Sequence, residues 1–360
     1  MAVNSQPPTP NFQEGPADYG RDDWELEIGS WELTPSSEPG DRPSVLVTRR
    51  LPASVLDRLR AHCDIDLHDA DTDLPRSELL RRVAGKQGLL AMLVDVVDAE
   101  LLAHADRLRV VANVAVGYNN IDIAAARARG IVVTNTPDVL TDATADIAWA
   151  LILDITRRVS EGDRLVRAGG WKGWGLEFML GTSLAGKQLG IVGMGRIGRA
   201  VAARGRVFGM RIAYWQRDPS RPGEPDATPL GLERLLETSD VVSLHVPLND
   251  QTRHLIDAAA LARMKPTAYL VNTARGPVVD EAALAVALKE RRIAGAALDV
   301  FEREPEVHPA LLPLENVLLV PHLGSATRET RTAMADLAAR NVIAVLNGGT
   351  ALTPVGFGGS

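Results

Sequence analysis

The strongest constraint lies mid-chain, where an apolar run, Leu189-Gly190-Ile191-Val192, passes directly into Gly193-Met194-Gly195-Arg196-Ile197-Gly198 and then into a helix-forming stretch, Arg199 to Arg206. Glycines in this spacing between a strand and a helix have three uses. The first permits a tight turn, the second lets the backbone approach a pyrophosphate, and the third lets the helix pack closely on the strand. The start of the helix then offers unpaired amides to the phosphates. Without the flanking strand and helix the same letters would be only a glycine-rich turn. With them, they predict a parallel α/β sheet holding a dinucleotide.

The rest of the chain agrees with such a sheet. From Pro43 on, short apolar or β-branched runs (residues 44–48, 65–67, 89–92, 110–114 and 131–133) are separated by amphipathic stretches, and a second series after the glycine turn has runs at 211–216, 240–245, 268–272 and 295–299. Strand and helix alternating over short links predict parallel sheets covered by helices. At 360 residues and 46% hydrophobic, the chain is long enough for two cores. One long helix is expected from Thr141 to Arg167, bridging the lobes, with Asp142 and Asp146 near its positive end and Gly169-Gly170 stopping it. A last helix, about 326–346, is roughly 30 Å long at 1.5 Å per residue, enough to return to the first lobe. The expected architecture is therefore α/β in two lobes. A Rossmann doubly wound coenzyme domain covers residues 146–327, and a smaller, flavodoxin-like substrate domain, discontinuous in sequence, covers 43–145 and 328–360.

Charge is placed unevenly. The whole net charge of −7 falls in residues 1–42, with nine acids and two bases, so the remainder is balanced and offers no basic patch for nucleic acid. That acidic segment is rich in proline and reads as a disordered tail, although Trp24-Glu25-Leu26 recurs as Trp31-Glu32-Leu33, either as a docking motif or by coincidence. No apolar run is long enough to cross a bilayer, and the N-terminus lacks a secretory pattern. The single cysteine, Cys63, excludes an intramolecular disulfide and a thiolate metal cluster. These features read as a cytoplasmic protein without a metal.

The end of the strand at 211–216 bears on the choice of dinucleotide. NAD enzymes usually carry Asp or Glu there for the ribose 2′-hydroxyl. Here the stretch is Trp215-Gln216-Arg217-Asp218, with Arg221 in the same loop. Neutral Gln216 followed by Arg217 suits the 2′-phosphate of NADP, which a guanidinium binds through charge-assisted pairs. In the alternative, Arg217 is a solvated surface residue and Asp218 supplies the carboxylate for NAD slightly late.

Three ionisable groups follow apolar strands in the second lobe: Arg275 in Asn272-Thr273-Ala274-Arg275-Gly276, Glu304 in Asp299-Val300-Phe301-Glu302-Arg303-Glu304-Pro305, and His322 in Val320-Pro321-His322-Leu323-Gly324. Strand ends are where an open α/β sheet gathers its ligands. Reduction of a 2-oxo acid needs a cation for the carboxylate and carbonyl, and a proton donor for the nascent alkoxide. Arg275 and His322 meet those needs, and Glu304 can favour the protonated imidazole. Singly, each also reads as an ordinary surface ion pair or loop residue. The other histidines, His245 included, read as structural on their own context, and Asp299 either tunes the site or caps a strand.

Taken together, these segments resemble the D-2-hydroxyacid dehydrogenase family, closest to its glyoxylate/hydroxypyruvate reductase and 2-ketogluconate reductase members, over residues 43 to about 355. The resemblance implies Arg275, Glu304 and His322 as the catalytic residues, with Asp299 as the family's additional acid. It implies that Val114-Ala115-Val116-Gly117-Tyr118-Asn119-Asn120 presents the Val116 and Gly117 amides to the substrate carboxylate. Likewise His245, Pro247, Thr273, Ala274 and Gly324 would line the cofactor. A homodimer is implied too, with an arm at residues 171–180. Asn119 stands where many relatives have Asp, which bears only on local turn geometry. The family also contains dinucleotide-sensing corepressors, a binding-protein alternative in which the acidic tail would dock a partner.

Overall fold

Two parallel sheets carry the fold in the computed structural model, which describes residues 42–218, 220 and 223–356. The acidic tail with its two Trp-Glu-Leu copies, and Arg221, lie outside the described residues. The first sheet contains β1 (Ser44–Val47), β2 (Asp64–Leu67), β3 (Gly88–Ala91), β4 (Val110–Asn113) and β5 (Val132–Thr134), in the order β2-β1-β3-β4-β5. The second contains β6 (Gln188–Val192), β7 (Arg211–Trp215), β8 (Ala227–Pro229), β9 (Val241–Leu244), β10 (Tyr269–Asn272), β11 (Gly295–Leu298) and β12 (Val317–Leu319), in the order β12-β11-β10-β9-β6-β7-β8. The first order is flavodoxin-like. The second is the Rossmann order extended by one strand, with its switch point between β6 and β9. Because helices cover both faces, β3, β4, β9 and β11 are buried along their whole length, which is why they read as unbroken apolar runs. The three-residue β8, Ala-Thr-Pro, has too little pattern to be seen in sequence.

The lobes are linked by two helices. In the first, Thr141–Arg157, Ala148, Trp149 and Ile152 are buried in the core of the second sheet, and Trp149 donates its indole N–H to the Val201 carbonyl at 3.0 Å. The expectation of one helix to Arg167 is corrected here. Arg158 takes a left-handed φ of 59°, and a second helix, Val159–Arg167, begins after it. Asp154 explains the break: its carboxylate accepts from the Ser160 amide at 2.7 Å and from the Ser160 hydroxyl, bonds that a continuous helix would not allow.

The last helix, Arg328–Leu346, packs Ala335, Ala338, Ala339 and Val342 against residues of β1, β3 and β4. The chain thus returns to the first sheet after completing the second. Asn341, in the middle of this helix, is fully buried and turns its side chain to the following segment. Its Oδ1 accepts from the Leu352 and Thr353 amides at 2.9 and 3.0 Å, and its Nδ2 donates to Thr353 Oγ1 at 2.8 Å. Among the described residues no helix is long and apolar enough to cross a membrane.

Candidate active site

The glycine-rich turn sits at the switch point. Gly193 has φ 103°, and a Cβ there would come within 2.8 Å of the His245 carbonyl, so the turn after β6 lies directly on the turn after β9. A Cβ on Gly198 would collide with the Gly193 carbonyl, whereas one on Gly195 would meet nothing within 4 Å. Gly195 also caps the helix Arg196–Val207 without a side-chain bond, so the first amides of that helix face open space, as a pyrophosphate requires. Arg196 at the helix start reaches across to Asp138 of the first lobe at 2.6 Å, an exposed pair of small energetic worth.

Two buried polar atoms at neighbouring strand ends have no partner among the described residues: His245 Nδ1, just after β9, and Thr273 Oγ1, just after β10. Such orphans are costly unless something else bonds them, and a nicotinamide dinucleotide at the switch point fits that demand. Burial lowers the His245 imidazole pKa to about 3, so it is neutral, and its Nε2 is bonded to Ser243 Oγ at 2.8 Å. Pro247 turns its carbonyl to the Thr252 hydroxyl. Beside β7, Arg217 donates to Gln251 Oε1 at 3.1 Å, and Asp218 Oδ1 accepts from both the amide and the hydroxyl of Ser220. Gln216 follows β7 directly.

The structure brings Arg275, Glu304 and His322 together. His322 Nδ1 lies 2.9 Å from Glu304 Oε2, and Glu304 Oε1 accepts from the Phe301 amide at 3.1 Å. Burial works to raise the Glu304 carboxyl, but the His322 bond and charge, the Phe301 amide and Arg275 outweigh it and hold this group below the usual carboxylate range. His322 has φ 51°, a conformation non-glycine residues avoid, and Asp299 holds it there. The two Asp299 oxygens accept from the Leu323 and Gly324 amides, and its carbonyl accepts from the His322 amide at 2.9 Å. Burial pushes the Asp299 carboxyl up, against those amides and the His322 charge. Asp299 thus holds the loop that carries His322, while its carboxyl also feels the charges of His322 and Glu304. Gly276 lets these loops meet: a Cβ there would overlap the Phe301 carbonyl.

Arg275 extends to the first lobe. Its Nε donates to Asn119 Oδ1 at 3.1 Å, and its guanidinium lies so close over Gly117 that a Cβ on Gly117 would overlap it. Asn119 is therefore more than a turn residue. As a neutral carboxamide it orients the guanidinium without cancelling its charge. Burial lowers the pKa of Arg275 and Glu304 opposes this, but a guanidinium keeps its proton at any working pH. Beneath it, the carbonyls of Ala115, Val116 and Gly117 accept from the Thr136 amide, Asn135 Nδ2 and Asn113 Nδ2 respectively. The Val116 and Gly117 amides have no hydrogen-bond partner among the described residues.

Comparison with known proteins agrees with this geometry. Residues 149–324 match the family profile of the D-isomer specific 2-hydroxyacid dehydrogenase, NAD binding domain. The glyoxylate reductase of Thermococcus gammatolerans is 50% identical over 313 residues, covering 85% of this chain and 94% of the relative. The chain belongs to the D-isomer-specific 2-hydroxyacid dehydrogenase family. Crystal structures agree. One is of a Thermus thermophilus protein (47% identity, TM-score 0.82, 87% of this chain and 100% of that one). Another is the NADPH-dependent glyoxylate/hydroxypyruvate reductase of Sinorhizobium meliloti with NADP and malonate (38% identity, TM-score 0.78, 87% and 97%).

In this dehydrogenase, sequence reasoning passed over a set of asparagines. Asn113, Asn135 and Asn120 hold the first-lobe loop, Asn120 through the Met92 and Asp95 carbonyls. Asn272 holds the Arg275 turn by donating to the Arg275 carbonyl and accepting from the Ala274 amide. Two faint signals exist: Asn113 and Asn272 each end an apolar strand, where a polar residue needs a partner.

Proposed function

We propose that this dehydrogenase reduces a short 2-oxo acid, of the glyoxylate, hydroxypyruvate or 2-ketogluconate type, to the D-2-hydroxy acid, and that it prefers NADPH. The observation that carries the reading is the convergence of a carboxylate-paired imidazole and a guanidinium lying over two unpartnered amides. The Val116 and Gly117 amides and Arg275 would bind the substrate carboxylate, and Arg275 would also polarise the 2-oxo group. A bound reduced nicotinamide supplies the hydride. His322 would hold a proton on Nε2 and give it to the developing alkoxide, while Glu304 on Nδ1 fixes the ring.

For the cofactor, the amides at the start of Arg196–Val207, with Gly193, Gly195, Arg196, Ile197 and Gly198, would seat the pyrophosphate. His245, Pro247, Thr273, Ala274, Asp299 and Gly324 surround the nicotinamide end in this reading. Preference for NADPH is supported by Gln216 in the usual carboxylate position and by Asp218, whose Oδ1 is already committed to Ser220. We take residues 43–145 and 328–360 as the substrate domain and 146–327 as the coenzyme domain. A homodimer is proposed as well. The segment after Arg158 exposes Trp171, Trp174, Leu176 and Leu180, with Trp174 83% and Leu176 79% accessible, an apolar strip that a second copy would cover. Light scattering of the full chain tests this, with a monomer mass as the opposing result.

The functional reading is tested by initial rates on the three candidate acids, with NADPH and NADH side by side. The expected result is turnover with both cofactors and a higher kcat/KM with NADPH. Higher kcat/KM with NADH overturns the preference, and absence of turnover despite dinucleotide binding overturns the reaction.

A further inference from the structure

The substrate loop is held by a chain of polar contacts that begins far from the chemistry. Buried Asn341 in the last helix fixes the Leu352 and Thr353 amides and the Thr353 hydroxyl. Thr353 in turn donates its hydroxyl to the Asn135 carbonyl at 2.6 Å, and its own carbonyl accepts from the Asn135 amide at 3.3 Å. Asn135 then donates Nδ2 to the Val116 carbonyl at 2.8 Å. Bridge contacts of Pro354 with Thr134, and of the Val355 amide with the Val133 carbonyl at 2.8 Å, lay this terminal segment along β5.

The direction of the Val116 peptide follows from these contacts. A peptide unit presents its N–H and C=O on opposite sides, so fixing successive carbonyls inward fixes the intervening amides outward. Thr136, Asn135 and Asn113 take the carbonyls of Ala115, Val116 and Gly117 in turn. The amides of Val116 and Gly117 are then left as a fixed pair of donors beneath Arg275. Fixed donors bind an anion without first having to be ordered, and that is where affinity is gained.

We infer that Asn135, held by Thr353 and Asn341, is a positioning residue for the substrate carboxylate, and that the segment 351–355 acts as a strap setting the affinity of the amide pair. This rests on the reading above that Val116 and Gly117 seat the carboxylate. Asn135 touches neither substrate nor cofactor in this scheme. It acts through the Val116 peptide, so its loss raises KM and leaves cofactor affinity alone.

The test uses the full-length enzyme with saturating NADPH and oxamate, a carboxylate probe that is not reduced, with its Kd read by calorimetry beside the substrate KM. Asn135→Ala is expected to weaken oxamate by about tenfold, the scale of one net hydrogen bond, and Thr353→Val by about threefold. The NADPH Kd and saturated kcat should stay within about twofold. Because Thr353 acts through Asn135, the double variant should be no weaker than Asn135→Ala alone, a non-additivity that independent structural damage does not produce. Should Asn135→Ala fold poorly, Thr353→Val, which keeps the side-chain shape, carries the test by itself. Unchanged oxamate affinity in a variant with the wild-type Tm overturns the inference, as does equal weakening of NADPH. Wild-type oxamate binding without turnover would sink the reductase reading alone, whereas no oxamate binding by the wild type would remove the carboxylate seat and this inference with it.

Discussion

The two lobes each hold a ligand-binding turn, and they build it differently. In the coenzyme lobe the turn after β6 is shaped by what is missing. Gly193 and Gly198 have no room for a Cβ, and the motif proposed to seat the phosphates lies within six consecutive residues. In the lobe of β1–β5 the turn after β4 is shaped by hydrogen-bond donors, Asn113 at the end of β4 and Asn135 and Thr136 just after β5, with only Gly117 kept bare for Arg275. A turn built on close backbone approach leaves a local signature. One built on donors gathered from two strand ends leaves a fainter one.

Glu304→Gln tests where the catalytic power sits between those turns, and a large effect is expected here. Without the carboxylate the bond to His322 Nδ1 is no longer charge-assisted and holds the ring less firmly, so kcat should fall by about a hundredfold or more. Steady-state rates check it, with the NADPH Kd measured alongside. A kcat within about twofold of the wild type would mean that Glu304 only supports the loop.

Paired glycine substitutions sharpen the contrast between the lobes. Gly117→Ala should displace Arg275 and lower kcat/KM by roughly a hundredfold while NADPH still binds, since misplacement of about 1 Å has that cost. Gly198→Ala should instead weaken NADPH and lower the Tm, because a backbone carbonyl has nowhere to go. Titration of cofactor fluorescence and a melting curve separate the two. Identical phenotypes would contradict separate tasks for the two turns.

A smaller effect is expected from Arg217→Ala. Loss of a charge-assisted contact should cost NADPH about tenfold in Kd and leave NADH nearly unchanged. Equal loss for both would place Arg217 outside the 2′-phosphate site.

The remaining effect concerns the pH dependence of stability, not activity. His245 has its pKa lowered to about 3 by burial, against about 6.5 when exposed. Between those values the unfolded chain binds a proton that the folded chain does not, so this group makes stability rise with pH, by at most about 1.4 kcal/mol per pH unit. Chemical denaturation from pH 4 to 7 should show this slope, reduced in His245→Asn; an unaltered slope would mean the ring is protonated in the folded enzyme.

Much of the site was legible in sequence because Arg275, Glu304 and His322 each stand just past an apolar strand that predicts its own end. The fold was legible for the same reason, strand after strand. What was not legible depends on side-chain partners that strand and helix patterns do not reveal. Asn135 looks like any loop residue until Val116 and Thr353 are beside it. The break at Arg158 is set by Asp154 turning back to Ser160, and periodicity carries straight through it. Asn119, read as a turn variant, gains meaning only when Arg275 arrives from the other lobe. Nothing in the sequence around Asp299 announces that its two oxygens take the Leu323 and Gly324 amides.

In the proposed reaction His322, held by Glu304, delivers the proton that completes 2-oxo acid reduction. The most direct test follows NADPH oxidation with glyoxylate for wild type and His322→Ala, alongside the NADPH Kd of each. The account predicts steady turnover by the wild type, a fall in kcat of about 10²–10⁴-fold in the variant, and unchanged NADPH affinity. A variant that turns over at the wild-type rate, or a wild type that binds NADPH and reduces nothing, would contradict it.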